Sequence, residues 1–574
     1  MQTPQNDFAT LAQKATQQLA DRAEAAQPFL AAMAATLQGM ARHPHQPMQD
    51  ALTLYQQHLA LGAGMLGHML GQPSEPVVQE AKGDRRFSHP MWQQPPYNAL
   101  KQSYLLTSNM LTKTVEDAAA KLDPHTAAQA TFFTRLVVEA LCPANNPATN
   151  PEALATALET NGQSLVQGLQ NWLTDLQNGR ISMTDYDAFQ VGKTIATTPG
   201  NVVFQNRLIQ LIQYAPQTEK VHPIPLIICP PWINRFYILE LSPHNSLAGW
   251  LVQQGFQVFM ISWKNPTEAE ADVTFEDYLQ EGFVAASDAA MSITGQSKVN
   301  AMGYCIGGAM LACATAILNA KGDARVNSAT FLATLTDYAN PGEVGIFIDE
   351  AQVQKLEQKM AQNGTMDGRD MAATWSHLRS TDLIWNYVTN NYLLGKQPAP
   401  FDILYWNDDS TRLPAAMHSW YLRNFYLENN IGKPGKLTLL GTPLDITNLT
   451  QPLYMMAGAT DHITPWESCY APFARMKSPS KRFILSTSGH VAGVVNPPTP
   501  EGKPVKKQLL AGEATAPTGK TWQATAQTVP DSWWPDYAAW LKPLAGDPVK
   551  APVKLGNATY KPLQPAPGNY VLEQ

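Results

Sequence analysis

The feature that most constrains this 574-residue chain is the string Gly303-Tyr304-Cys305-Ile306-Gly307-Gly308. Val299 to Met302 before it reads as a strand, and Gly308 to Asn319 after it reads as a helix. Small residues at 303 and 307 let the chain turn sharply without strand and helix colliding. Such a turn lifts the Cys305 side chain above the end of a sheet. The N-terminus of the following helix favours a thiolate there, and the Ile306 backbone N–H points at a developing oxyanion. The string therefore reads as a nucleophile elbow, with cysteine where serine is usual.

An elbow of this kind needs an acid and then a base further along the chain. Gln451 to Ala457 reads as a strand, and the loop leaving it carries Asp461. Lys481 to Leu485 reads as the next strand, and its loop carries His490. Both side chains then sit at one sheet edge, where His490 takes the thiol proton and Asp461 holds the imidazole tautomer. Two weaker alternatives stay open, His462 as the base and Asp337, in the loop after the strand Ser328 to Leu335, as the acid. Cys142, Cys229, Cys313 and Cys469 have no elbow and read as small buried hydrophobes. Pro230-Pro231-Trp232-Ile233-Asn234 follows the strand ending near Cys229 and occupies the place of a first oxyanion loop. Proline lacks an N–H, so Trp232 or Ile233 supplies the second donor.

Strands alternating with helices from Val202 onward predict an α/β chain with a largely parallel sheet, and with the elbow an α/β-hydrolase fold core. The reading places a mainly helical domain at 1–190 and a catalytic domain at 191–574. More chain separates Cys305 from Asp461 than a few strand–helix units need. The surplus, about 338–441, predicts an inserted cap rich in aromatics and glycine. The aromatic tail pieces Asp531 to Pro535 and Pro565 to Tyr570 read as C-terminal strapping. Residues 1 to about 75 are rich in Ala, Gln, Leu and Met at helical spacing, with Ala51, Leu54, Tyr55, His58, Leu59 and Leu61 as one such segment.

Composition narrows the function classes. Charged residues make up 15% of the chain, against about 25% in ordinary soluble proteins. A net charge of −7 leaves no basic footprint for nucleic acid. The first residues lack the basic start and apolar core of a secretory signal, and no run approaches the roughly 18 apolar residues of a membrane span. Five cysteines in so long a chain fit reduced thiols, which predicts a cytoplasmic location. His43 and His45 make only a weak metal pattern, and there is no Cys-x-x-Cys pair, P-loop or dinucleotide fingerprint. The expectation is no metal and no cofactor.

Cysteine attacking a thioester makes another thioester, so acyl transfer stays nearly energy-neutral and the acyl group remains activated. That favours a transferase, with a cysteine-dependent α/β-hydrolase as the alternative.

Several strings carry a resemblance: Gly83-Asp-Arg-Arg-Phe87, Phe189-Gln-Val-Gly192, Leu383-Ile-Trp-Asn-Tyr387 and Asn391-Tyr-Leu-Leu-Gly395. They continue with Asp461-His-Ile-Thr-Pro-Trp466, Ser488-Gly-His490, Asn496-Pro-Pro498 and Ser532-Trp-Trp-Pro535. With these the chain resembles the class I polyhydroxyalkanoate (poly-3-hydroxybutyrate) synthases over nearly its whole length, loosening over the first 75 residues. The resemblance implies a Cys305–Asp461–His490 triad, a 3-hydroxyacyl-CoA substrate, a homodimer and a product stored as cytoplasmic polyester granules. It implies that Asp461 or His490 activates the 3-hydroxyl of the next unit. Beside it stand a cysteine-dependent α/β-hydrolase (a thioesterase or polyester depolymerase) as the alternative enzyme and a granule-surface structural protein as the non-enzymatic alternative. Ala492 and Ile233 become substrate-pocket candidates, and Ala492 with the class I likeness implies acyl chains of about three to six carbons. Three positions depart from the family pattern: Cys229 where valine is usual, Trp232 where a smaller residue or phenylalanine stands, and Glu240 in place of aspartate.

Overall fold

Two sets of residues build separate interiors along the chain. The structure, a computed structural model, describes residues 27–42, 45–72 and 75–574. Residues 1–183 and 376–398 cluster as one unit, and residues 184–375 and 399–574 as the other. His43 and the first 26 residues of the Gln- and Ala-rich segment lie outside the described residues. Among the described residues no group of side chains is arranged to hold a metal ion, and no helix is long and apolar enough to cross a membrane.

The first unit is helical: α1 (Gln27–Arg42), α2 (His45–Met69), α3 (Tyr97–Ala119), α4 (Pro124–Ala140), α5 (Pro151–Glu159) and α6 (Gln163–Asn178). Local chemistry sets its starts. Asp123 accepts from the Thr126 N–H at 3.0 Å and Asn150 from the Glu152 N–H at 2.9 Å, and proline stands at the first position of both α4 and α5. Arg86 pairs with Asp84 at 2.8 Å and lies over the rings of Phe87 and Tyr104, which explains the Gly83-to-Phe87 string as a structural knot.

Residues 376–398 belong with these helices and not with the rest of the expected cap. The Asn171 amide donates to the Asn391 carbonyl at 2.9 Å, and the Tyr392 hydroxyl donates to Asp175 at 2.7 Å. Gly168 leaves room for the Tyr392 backbone, whose carbonyl a Cβ would strike. The sequence expectation kept 338–441 whole and drew one boundary near 190; the contacts divide the chain at 183 and again at 375 and 398.

The second unit is built on twelve strands: β1 (Gly200–Gln205), β2 (Ile209–Tyr214), β3 (Lys220–Cys229), β4 (Phe256–Trp263), β5 (Val299–Tyr304), β6 (Val326–Leu332), β7 (Leu453–Gly458), β8 (Lys481–Ser486), β9 (Gln508–Glu513), β10 (Gln527–Pro530), β11 (Val549–Lys550) and β12 (Gln564–Pro565). Their order is β10-β9-β8-β7-β6-β5-β3-β4-β2-β1-β12, with β11 paired to β3. The run β4-β3-β5-β6-β7-β8 is parallel throughout, and both flanks are antiparallel. Parallel strands are covered on both faces, so they read as unbroken apolar runs. Ile227, Phe259 and Ala301 enter one core, and their neighbours Ile228, Met260 and Met302 enter the other. Helix α7 (Ile306–Ala320) follows β5, and every residue from Ile306 to Leu318 is buried.

Candidate active site

Strand β5 delivers the chain to Cys305, whose backbone is held at φ 53°, ψ −121°. A non-glycine residue pays strain in that region, and strain of this kind gathers at functional sites. The turn is pinned by the Cys305 N–H donating to the Leu332 carbonyl at 2.9 Å. Three glycines make it possible. A Cβ on Gly303 would lie 2.5 Å from the Gly308 Cα, one on Gly307 would strike the Cys229 carbonyl, and one on Gly308 would run into the Thr334 hydroxyl. Cys305 is half-buried, whereas Cys142, Cys229, Cys313 and Cys469 are buried. Burial raises the thiol of each of those four.

Asp461 leaves the end of β7, and His490 opens the short helix α8 (His490–Val494) beyond β8. Their side chains meet, with His490 Nδ1 2.7 Å from Asp461 Oδ2. The Asp461 side chain is fully buried and saturated with donors. Oδ1 accepts the Ile463 and Thr464 N–H groups at 2.9 Å each, and Oδ2 accepts the Thr464 hydroxyl at 2.7 Å as well as the imidazole. Burial opposes ionisation of Asp461, but His490 and these donors together hold the carboxyl below its ordinary range. Burial likewise opposes protonation of His490, and Asp461 with Cys305 overcomes it, raising the imidazole well above its usual value. Tyr304 packs against the imidazole with ring centroids 5.3 Å apart. Helix α9 (Trp533–Leu541) straps α8 from behind: the Trp533 and Trp534 indoles donate to the Gly493 and Val494 carbonyls at 3.0 and 3.1 Å.

The alternatives fall elsewhere. Asp337 is engaged by Arg475 at 3.0 Å and by the Asn429 amide at 2.8 Å. It is His490, not His462, that meets Asp461, while the His462 carbonyl accepts from the Glu343 N–H.

The loop after β3 lies beside the elbow, because β3 and β5 are parallel neighbours with Cys229 opposite Gly303. Ile306 opens α7, so its N–H has no partner within that helix. The Trp232 indole turns into the core against Tyr278, Trp263 and Phe275, with centroids 4.9, 6.0 and 6.2 Å away. Ile233 is half-buried, and Ala492 is exposed on α8. Glu240 is buried, accepting from the Tyr214 hydroxyl and the Thr198 N–H, and burial pushes its carboxyl up to about 7.

Two supporting residues escaped the sequence reading. Thr464 holds Asp461. Thr411 braces the loop after β3, donating to the Trp232 carbonyl at 2.8 Å and accepting from the Asn234 N–H at 2.9 Å. The Asp461-to-Trp466 string contained the first, but nothing in the sequence pairs residues 232 and 411.

The chain is similar to known proteins. Residues 83–251 match the family described as Poly-beta-hydroxybutyrate polymerase (PhaC) N-terminus, and residues 225–497 match the alpha/beta hydrolase fold. A poly(3-hydroxyalkanoate) polymerase of Methylorubrum extorquens is 43% identical over 535 residues, covering 92% of this chain and 87% of that protein. The poly(3-hydroxyalkanoate) polymerase subunit PhaC of Cupriavidus necator is 42% identical over 494 residues, covering 85% and 83%. Poly(3-hydroxyalkanoate) polymerase 2 of Ectopseudomonas oleovorans is 40% identical over 542 residues, covering 94% of each chain. An α/β-hydrolase core, a strained cysteine elbow and this depth of likeness along nearly the whole sequence lead to one assignment: the chain belongs to the poly(3-hydroxyalkanoate) polymerase family.

Proposed function

We propose that this chain polymerises short-chain (R)-3-hydroxyacyl-CoA into polyester with release of coenzyme A, through a thioester on Cys305. The observation that carries the reading is the 2.7 Å contact of Asp461 and His490, reached from strands on the same sheet edge as the Cys305 elbow. With Nδ1 committed to Asp461, His490 has Nε2 left to take the thiol proton. The thiolate attacks the thioester carbonyl, and the N–H groups of Ile306 and of Trp232 receive the developing oxyanion. Collapse expels the coenzyme A thiolate, which takes the proton back from His490. The acyl group is now on Cys305, still a thioester.

Chain growth needs the 3-hydroxyl of another unit to attack that thioester. Asp461 is fully buried, with both oxygens occupied, and so has no open edge for a substrate hydroxyl. His490 is therefore the base for this step too, and Asp461 acts by holding it. The ester forms as the Cys305 sulfur leaves and regains the proton. Ile233, in the loop beside the elbow, and Ala492, on the helix His490 opens, are the proposed pocket residues. The protein works as a homodimer on the surface of its cytoplasmic granules, with residues 1–75 in the contact. Exposed Leu52, Tyr55 and Leu59 along α2 support that last assignment. If attachment and dimerisation both survive removal of residues 1–75, that segment is not the contact.

Incubation with 3-hydroxybutyryl-CoA tests the reaction. Free coenzyme A with insoluble polyester is expected, and free hydroxy acid alone would make the chain a thioesterase. Cys305→Ala should lower turnover by roughly a thousandfold or more, whereas Cys229→Ala should leave it standing.

A further inference from the structure

Helix α6 is packed inside out. Leu165, Val166, Leu169, Trp172, Leu173 and Leu176 recur at helical spacing along one face, yet each is 44 to 63% exposed. The buried residues are Ser164, Gly168 and Asp175. A surface helix ordinarily turns its apolar stripe to the core. Here the small and polar face is inward because Gly168 admits the Tyr392 backbone and Asp175 accepts from Tyr392 and Ser182. The apolar stripe is thus left over after the unit has folded, and Leu158 near the end of α5 is exposed too, at 80%.

We propose that this face of α6 is a second surface, in addition to residues 1–75, on which the protein holds the polyester it makes, a proposal that rests on the polymerase reading above. The chemistry selects the occupant. Asp175 is the sole charged residue between 163 and 178, and it points inward, so the outer face carries no charge at all. An aliphatic polyester is likewise uncharged and offers only ester carbonyls as acceptors. The exposed amides of Gln163, Gln170 and Gln177 beside the stripe supply donors without the cost of desolvating an ion. A phospholipid surface calls for Lys or Arg along the polar side of the helix, and α6 has neither.

The test uses the full chain and amorphous poly(3-hydroxybutyrate) particles free of other protein. Wild type and Leu169→Gln/Leu173→Gln/Leu176→Gln are compared by co-sedimentation. Gel filtration, binding to phosphatidylglycerol vesicles and coenzyme A release from soluble 3-hydroxybutyryl-CoA are measured alongside. The expected result is at least about tenfold weaker particle binding by the variant, with elution volume and initial release unchanged. Wild type that ignores the particles overturns granule attachment altogether. Wild type that binds while the variant binds equally overturns only the assignment to α6. A variant eluting as a smaller species gives the face to a second copy of the chain, and vesicle binding that matches particle binding and is lost in the variant gives it to lipid; either overturns the proposal. Leu165→Gln/Val166→Thr, on the first turn of the same stripe, must weaken particle binding as well if the face and not one distorted turn is responsible.

Discussion

Helices α7 and α6 are nearly equal in length and both rich in apolar residues, yet they use them in opposite ways. In α7 every residue from Ile306 to Leu318 is buried between the sheet and its cover. In α6 the leucines face outward and a glycine and an aspartate face in. The first helix is fixed by its hydrophobicity, and its N-terminus inherits that rigidity, which is what the strained Cys305 needs in its proposed role as nucleophile. The second is fixed by a close backbone approach and hydrogen bonds, leaving its apolar side chains for something outside the fold.

The sharpest way to break this contrast is to place the same substitution in both helices. Leu311 in α7 is fully buried, so Leu311→Gln buries an unpaired amide and removes apolar packing at once. A loss of about 4 kcal/mol is expected in urea unfolding of the full chain. A loss under about 1 kcal/mol would mean that α7 is not the rigid base of the elbow.

Buried polar groups give the second unit a pH dependence that exposed leucines cannot give the first. The Glu240 carboxyl is held near 7 in the folded protein by burial, against about 4.3 in an unfolded chain. The folded state therefore binds the extra proton between these values. This group's contribution to stability is full below about pH 4.3, falls as pH rises, and is lost above about 7. The shift corresponds to about 4 kcal/mol. Glu240→Gln should flatten the decline in thermal midpoint between pH 5 and 8, and an unchanged slope would show that Glu240 is not its source.

The candidate trio of Cys305, Asp461 and His490 was legible as a set because each residue sits at a strand end in a fixed chain order, and strand ends are marked locally by apolar runs that stop. Asp461 and His490 needed no knowledge of tertiary contact, since parallel neighbours such as β7 and β8 bring their loops to one edge. What was not legible depends on contacts between distant residues. Thr411 reaches the Trp232 carbonyl from 179 residues away. Residues 376–398 join the helical unit through Asn171, Asp175 and Gly168, none of which announces a partner. The direction in which α6 faces belongs to the same class: its amphipathic pattern is plain, but which side is inward is decided by Gly168 and the backbone it admits.

Thr464 offers a smaller and more local test. Its hydroxyl donates to the same Asp461 oxygen that meets His490. Thr464→Val keeps the shape and removes the donor, which should lower kcat/KM about tenfold. With one donor fewer, the Asp461 carboxylate is less neutralised and holds the imidazole proton harder, so His490 rises further above its usual value and the acid limb it sets should move to higher pH. Thr464→Ser should restore both. A rate loss with no movement of the acid limb would make Thr464 structural only.

The smallest expected effect is the most informative about the helical unit. Leu169→Gln/Leu173→Gln changes two side chains that are about half exposed and that no buried group depends on. Surface substitutions of this kind usually fall within about 0.5 kcal/mol, and glutamine has nearly the helix propensity of leucine. The thermal midpoint should therefore hardly move, in contrast with the single glutamine at Leu311. A near-zero change says that these leucines contribute nothing to folding, so their place on the surface has to be explained by what they touch. A loss of 2 kcal/mol or more would say the reverse, that the face is covered within the chain, and the difference between the two helices would disappear.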